Sequence, residues 1–312
     1  AILVIKDGEV SYENAKGMAN KHTVLSITSD TGFRLGSLSK TFTALAIMQL
    51  YEQQLLTVED SIITFLPELP PSWQGITIHH LLSHQSGIPD YFNDFNGVGN
   101  NIWPDGVTNQ DVLAYFSSND RLEFEPGTKG EYSNTGYLLL AEIVSRVKSV
   151  RFADYMENNL FQLLGMKDSY IADEYSVSRP DDALNFAEFD TYYGLHFYTH
   201  GAQAQVSSLK DMQLFINALL QNEIVTKETF NLMTQNHTVG LFEGTTNYGY
   251  GFVINPKNTN DFGHGGGFDG FITYMALRND ANWQMVILSN GGAQTGNHGY
   301  LIDLVDQFYG VQ

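Results

Sequence analysis

Cysteine is absent from the 312 residues, and that one absence excludes disulfides, thiolate-held metals and a cysteine nucleophile. Basic residues are few: 16 Lys and Arg stand against 35 Asp and Glu, for a formal net charge of −19. The acids are scattered rather than blocked, so the balance argues for solubility and against nucleic acid or an anionic membrane as partner. Long apolar runs are missing too. The longest, around residues 44–50, is interrupted by Gln49 and falls far short of the roughly 18 residues that a membrane span needs. No Gly-x-Ser-x-Gly elbow occurs, which removes the usual α/β-hydrolase route to a serine nucleophile. No internal repeat is visible.

What is present is a 43% hydrophobic chain, enough to bury a real core divided between two structural regions. It opens with Ala1 directly in an apolar strand, with neither a methionine nor a secretory leader. The expectation is that a leader has been removed or that the sequence begins inside the natural protein, and that the protein is exported to the periplasm or beyond the cell.

Residues 1–6, an Asp7-Gly8 turn and the alternation from Glu9 onward predict a β-hairpin, since the Asp-Gly pair supplies the positive φ of such turns. A third strand ends at Gly36, and an apolar helix spans 41–54. From Thr57 the pattern turns helical, broken by Pro67, Pro70, Pro71, Pro89 and Pro104, with a long irregular Gly/Asn-rich loop over 93–109. Beyond Gly201 come helices at 209–221 and 227–235, strands at 248–255, 271–277 and 283–289, and a final helix at 300–308. The reading is mixed α/β (α+β): residues 1–56 and 200–312 build one antiparallel sheet from both chain ends, flanked by helices, and 57–199 form an inserted, mainly helical domain.

Ser37-Leu38-Ser39-Lys40 sits at a strand-to-helix junction, where free backbone N–H groups and the helix dipole favour developing negative charge. Lys40, three residues on, shares a helix face with the Ser37 hydroxyl, and a neutral amine there can take the hydroxyl proton. The spacing alone says little. Ser145-Arg146-Val147-Lys148 and Ser207-Ser208-Leu209-Lys210 repeat it. Ser145 falls inside a helical pattern over 136–148, where its hydroxyl would meet carbonyls or solvent, and Ser207 or Ser208 reads as the N-cap of the next helix.

Tyr132-Ser133-Asn134 follows a turn signal and precedes that helix, so the phenol can shuttle a proton and the amide can bind a substrate carbonyl. Tyr12-x-Asn14 and Tyr91-x-Asn93 share the spacing, which weakens it when taken alone. His264-Gly265-Gly266-Gly267, ahead of the strand at 271, lets substrate and backbone approach closely, and a backbone N–H there can point at an oxyanion. The same run formally gives a dinucleotide fingerprint, Gly265-x-Gly267-x-x-Gly270, but a strand rather than a helix follows it, which rules that reading out. His79, His80 and His84 invite a metal reading. The surrounding apolar pattern and the lack of His-Glu-x-x-His make them hydrogen-bonded structural histidines instead.

Taken in order, these elements resemble the class C β-lactamase and serine penicillin-binding protein family, with its esterase and D-stereospecific peptidase relatives. The resemblance runs over nearly the whole chain. Beyond the three motifs it includes Phe33-Arg34-Leu35-Gly36, the run from Ile76 through His84-Gln85-Ser86-Gly87, Pro126-Gly127, Leu164-Gly165-Met166-Lys167-Asp168-Ser169 and Tyr248-Gly249-Tyr250-Gly251-Phe252. It implies the β-lactamase/transpeptidase-like fold, with an active site in the cleft between the mixed and helical domains. Ser37 would form an acyl-enzyme, Lys40 and Tyr132 would share the proton transfers, and Asn134 would orient substrate and lysine. The N–H groups of Ser37 and Gly267 would form the oxyanion hole, with His264 and Gly266 on the substrate-binding wall. Burial should lower the lysine pKa, the ammonium should lower that of the phenol, and the pair should titrate together.

Three departures stand out. His264 replaces the Lys-Thr-Gly lysine with which the family's β-lactamases hold a substrate carboxylate, and it should be neutral near pH 7. The family's N-terminal helix has no counterpart, which removes that cover from the apolar face of 300–308. The segment 201–205 is poorer in glycine than the family's. The expected function is a serine acyl hydrolase of small esters or D-amino-acid amides and peptides, needing no cofactor or metal. The alternatives are a β-lactamase or D,D-carboxypeptidase, and a penicillin-binding or scaffold protein that has lost turnover. Oligomeric state is not legible.

Overall fold

Asp7 and Gly8 take φ values of 53° and 81°, the positive values a tight hairpin requires, and they join β1 (Ile2–Lys6) to β2 (Glu9–Asn14). The computed structural model describes residues 1–20, 24–93, 106–175, 179–184, 198–242, 247–268 and 270–291. The helix expected at 300–308 and most of the loop expected at 93–109 lie outside them.

Short strands follow at Met18–Asn20 (β3), Leu25–Ser26 (β4), Phe33–Arg34 (β5), Tyr170–Ile171 (β6) and Gln205–Ser207 (β7). The chain then supplies Asn247–Tyr248 (β8), Val253–Ile254 (β9), Asp261–Phe268 (β10), Phe271–Arg278 (β11) and Trp283–Ser289 (β12). The main sheet has the order β2-β1-β12-β11-β10-β9-β8, antiparallel throughout, so both chain ends meet where Ile2 pairs with Ile287. β1 and β12 carry near-continuous buried residues because both of their faces are covered.

Three outcomes differ from the sequence pattern. β5 leaves the main sheet and pairs with β7, which also pairs with β6. The strand expected at 248–255 is two, β8 and β9, because Gly251 turns at φ 78° where a Cβ would come within 2.7 Å of the Ala44 methyl. The glycine run 263–267 is itself strand. Glycine lowers strand propensity, so pattern alone hides β10, yet every residue of it is paired to β11.

Helix α1 (Ser39–Glu52) is apolar nearly all round and buried along most of its length, as a central helix must be. Phe42 stacks on Phe215 at 4.0 Å between ring centroids, and truncating such a ring to alanine costs about 3–5 kcal/mol. Next come α2 (Ile78–Leu82), α3 (Asn109–Ser117) and α4 (Asn134–Lys148), each begun by a hydroxyl cap, from Thr77, Thr108 and Ser133. Segment α5 (Phe152–Met156) continues through one π turn into α6 (Gln162–Leu164), which stops at Gly165, φ 72°. Helices α7 (Leu209–Leu220) and α8 (Lys227–Met233) complete the set, with α7 packed on β1 and β12.

Candidate active site

Ser37 lies in a 3-10 turn, Gly36–Leu38, immediately before α1 rather than on the α-helix itself. The turn is pinned from two sides. Leu35 N–H donates to the Gln205 carbonyl at 2.8 Å, while the Thr273 hydroxyl on β11 donates to the Leu35 carbonyl at 2.6 Å. Between them Gly36, at φ 55°, meets Gly267 of β10 so closely that a Cβ would lie 2.9 Å from its backbone nitrogen. A methyl on Gly266 would overlap the Leu35 carbonyl oxygen. Gly267 has open space where a Cβ would stand and is exposed. The glycines of the third motif are therefore two different requirements: one lets β10 press on the serine turn, and the other leaves room above it.

Lys40 is wholly buried, with 0% of its surface exposed, and its Nζ donates to Ser37 Oγ at 3.2 Å, Asn134 Oδ1 at 2.7 Å and the Ala202 carbonyl at 3.0 Å. Burial lowers its pKa to about 7, against the pull of Asp90 in the other direction. The three contacts then decide what deprotonation does. As an ammonium the lysine fills all three acceptors. As an amine it has two N–H bonds and a lone pair, and of its partners only the Ser37 hydroxyl can turn round and donate to that pair. Losing a proton aims the lysine at the serine.

Tyr132 leads into α4 from the loop and keeps 37% of its surface exposed, yet burial of its hydroxyl region pushes the phenol well up. A hydrogen bond with Ser37 pulls it down less strongly, and Asp90 adds to the rise. This corrects the expectation of a lowered phenol pKa: burial is the largest influence on the phenol, and Lys40 Nζ sits over the ring face, 4.7 Å from its centroid. Lysine and tyrosine move apart, the first toward a base at neutral pH and the second toward a permanent donor.

Asn134 opens α4, with Ser133 as its cap. Its amide spans two groups, the oxygen on Lys40 and Nδ2 on Asp90 Oδ2 at 2.8 Å. His264 is 3% exposed. Its Nδ1 contacts the Gly265 carbonyl at 2.6 Å, which can only accept, so the ring proton sits there and Nε2 accepts from the Tyr248 hydroxyl at 2.8 Å. Burial first, and the Lys40 charge second, push its pKa down to about 3. The ring lies 6.3 Å from that of Tyr132, as wall rather than as a free hand. Ser37, Lys40, Tyr132, Asn134, His264, Gly266 and Gly267, spread over 230 residues of chain, are thus gathered around one turn.

The β-lactamase family profile matches residues 1–309. The chain belongs to the β-lactamase family. It is 30% identical to penicillin-binding protein 4* of Bacillus subtilis (strain 168), an alignment covering 93% of this chain and 67% of that protein. Its fold superposes on a penicillin binding protein from Bacillus halodurans with TM-score 0.86 at 24% identity, covering 98% of this chain and 94% of that one. It superposes on D-amino acid amidase from Ochrobactrum anthropi SV3 with TM-score 0.77 at 24% identity, covering 93% and 85%. The two superpositions establish the β-lactamase/transpeptidase fold. The chain spans between 59% and 67% of the length of the curated relatives it matches.

For this β-lactamase-family chain the motifs missed three contributors. Asp90 follows a proline in an otherwise buried run and carries no motif. Ala202 acts through its carbonyl, which no side-chain pattern can reveal, and beside it Gly201 O accepts from Thr43 Oγ1 at 2.7 Å. His84, at φ 60°, accepts from Ser133 N–H at 3.1 Å and packs on the rings of Tyr132, Tyr137 and Tyr248, forming the floor beneath Tyr132. His79 and His80 are hydrogen-bonded, the first to the Tyr250 hydroxyl at 2.7 Å and the second within the α2 cap.

Proposed function

We propose that the chain is a serine acyl hydrolase that forms an acyl-enzyme on Ser37 and acts on small esters or D-amino-acid amides and peptides. The observation that carries this is the triple contact of buried Lys40, which couples loss of its proton to activation of the Ser37 hydroxyl. Ser37 Oγ attacks the acyl carbon as its proton passes to Lys40 Nζ, and the carbonyl electron pair moves onto oxygen. The resulting oxyanion faces the N–H groups of Ser37 and Gly267. The tetrahedral centre then expels the leaving group, which takes a proton from the Lys40–Tyr132 side, and a water repeats the sequence to release the acid. Every proton carrier is a side chain of this chain.

His264 guides the substrate class. It is neutral with both nitrogens engaged, so the β10 wall offers no cation to a substrate carboxylate, which favours neutral esters and amides over β-lactams and D-Ala-D-Ala ends. The names of the relatives keep β-lactam chemistry as the second reading.

Three probes separate the readings: a p-nitrophenyl ester, a D-amino-acid p-nitroanilide and a chromogenic cephalosporin, with the acylated residue read by mass spectrometry. The proposal expects turnover of the first two and adducts on Ser37. Cephalosporin turnover exceeding that of the ester would favour the second reading. A stable penicillin adduct on Ser37 without product would indicate a protein that binds and does not turn over.

A further inference from the structure

Asp90 stands behind Asn134, away from Ser37, and both of its oxygens are used. Oδ2 accepts from Asn134 N–H at 2.9 Å and from Asn134 Nδ2 at 2.8 Å, and Oδ1 accepts from Phe92 N–H at 2.9 Å. The segment is strapped to the start of α4 a second time, by Thr135 Oγ1 donating to Pro89 O at 2.7 Å and Tyr91 N–H donating to Thr135 Oγ1 at 2.8 Å. A carboxamide can present either end. Were the Asn134 amide to flip, its NH2 would face the Lys40 lone pair and compete with Ser37, while its oxygen would meet a carboxylate that has no proton to give.

We propose that Asp90 is a positioning residue for acylation: by accepting from Asn134 Nδ2 it locks the amide oxygen onto Lys40, leaving Ser37 as the lysine's one hydroxyl donor. This rests on the reading of Ser37 as nucleophile and Lys40 as base. The other titratable groups facing the lysine are Tyr132, Tyr137, His84 and His264. The two phenols are pushed up and the two imidazoles down, so all four are neutral near pH 7. Asp90 is then the charge that raises the lysine against the burial that lowers it.

The test is the rate at which a fluorophosphonate labels Ser37, followed by mass spectrometry from pH 5 to 9, in the parent, Asp90→Asn, Asn134→Ala and the double variant. Asp90→Asn should lower the plateau rate on the order of 100-fold, the scale of a displaced catalytic contact, and should move the acid midpoint to lower pH. Because Asp90 acts through Asn134, adding Asp90→Asn to Asn134→Ala should change the rate by less than about threefold. If Asp90→Asn fails to fold, Asp90→Glu replaces it: the charge is kept and the contact displaced, so the plateau falls while the midpoint stays. A plateau within threefold of the parent, or multiplying effects in the double variant, overturns the proposal. Ser37→Ala separates the two levels. Labelling that survives it defeats the nucleophile reading, whereas its loss beside an unaffected Asp90→Asn defeats only the role of Asp90.

Discussion

Three tetrads of this chain place a serine three residues before a lysine, and they end in three different physical states. In Ser37–Lys40 the lysine is sealed from water and touches the serine, and its pKa falls to about 7. In Ser145–Lys148 the serine donates back to the Ala141 carbonyl at 3.1 Å and the lysine reaches the exposed Gln53 side chain. In Ser207–Lys210 the lysine stands in solvent and pairs with Asp30 at 3.0 Å, which raises its pKa. Identical local spacing gives opposite shifts because the shift is set by what closes over the amine, and only Lys40 has β10, α4 and the 201–205 segment around it.

The largest effect should come from exchanging the serines. Ser37→Ala should lower ester turnover on the order of 1000-fold or more, the scale of losing a nucleophile, while Ser145→Ala stays within twofold of the parent. Comparable losses at both positions would break the distinction.

The lysines should differ next. General-base removal costs roughly 100- to 10,000-fold, so Lys40→Met should fall in that range and Lys210→Met should not differ from the parent. In the parent, kcat/KM should rise through pH 7 as Lys40 loses its proton. Stability carries the same signature. Lys40 ordinarily titrates at 10.5 and here near 7, so between those values the unfolded chain binds a proton that the folded chain lacks. Its contribution to stability is therefore least favourable below pH 7 and grows as pH rises toward 10.5, by at most about 1.4 kcal/mol per pH unit. Urea unfolding at pH 7 to 9.5 should show that rise in the parent and in Lys210→Met, and a flatter line in Lys40→Met. Equal slopes in all three would mean that the burial of Lys40 has no energetic weight.

What closes over the amine was only partly legible. Ser37, Lys40, Tyr132 and Asn134 carry chemistry in their side chains and so left motifs. The antiparallel sheet was readable from the Asp7-Gly8 turn and the β-branched runs at 271–277 and 283–289. β10 was not readable as a strand, since glycine contributes no side chain to a pattern. The Ala202 carbonyl and the Asp90 carboxylate act through backbone and through another residue, and the upward shift of Tyr132 comes first from its burial, which no spacing encodes.

The third motif offers a sharper contrast, of intermediate size. Gly266→Ala forces a methyl into the Leu35 carbonyl and should cost about 1–3 kcal/mol by overpacking, loosening the turn that holds Ser37. Gly267→Ala meets open space and should unfold within about 1 kcal/mol of the parent. Thermal melts of the two variants decide it. Equal destabilisation would mean that β10 does not press on the serine turn as its geometry indicates.

The smallest effect separates two serines within the decoy tetrads, the helix cap Ser208 and Ser145, by sign. Ser208 Oγ accepts from Asp211 N–H at 3.1 Å as the N-cap of α7 and donates to Asp168 at 2.8 Å, so Ser208→Ala should destabilise by about 1 kcal/mol with ester turnover unchanged. Ser145 is a mid-helix residue whose hydroxyl satisfies a carbonyl already bonded within α4, and alanine is the better helix former there. Ser145→Ala should therefore raise stability by a few tenths of a kcal/mol. Denaturant midpoints moving in opposite directions would show that each of these serines serves its own helix, as cap or as passenger. Both midpoints falling together would instead assign Ser145 a structural contact beyond its bond to Ala141.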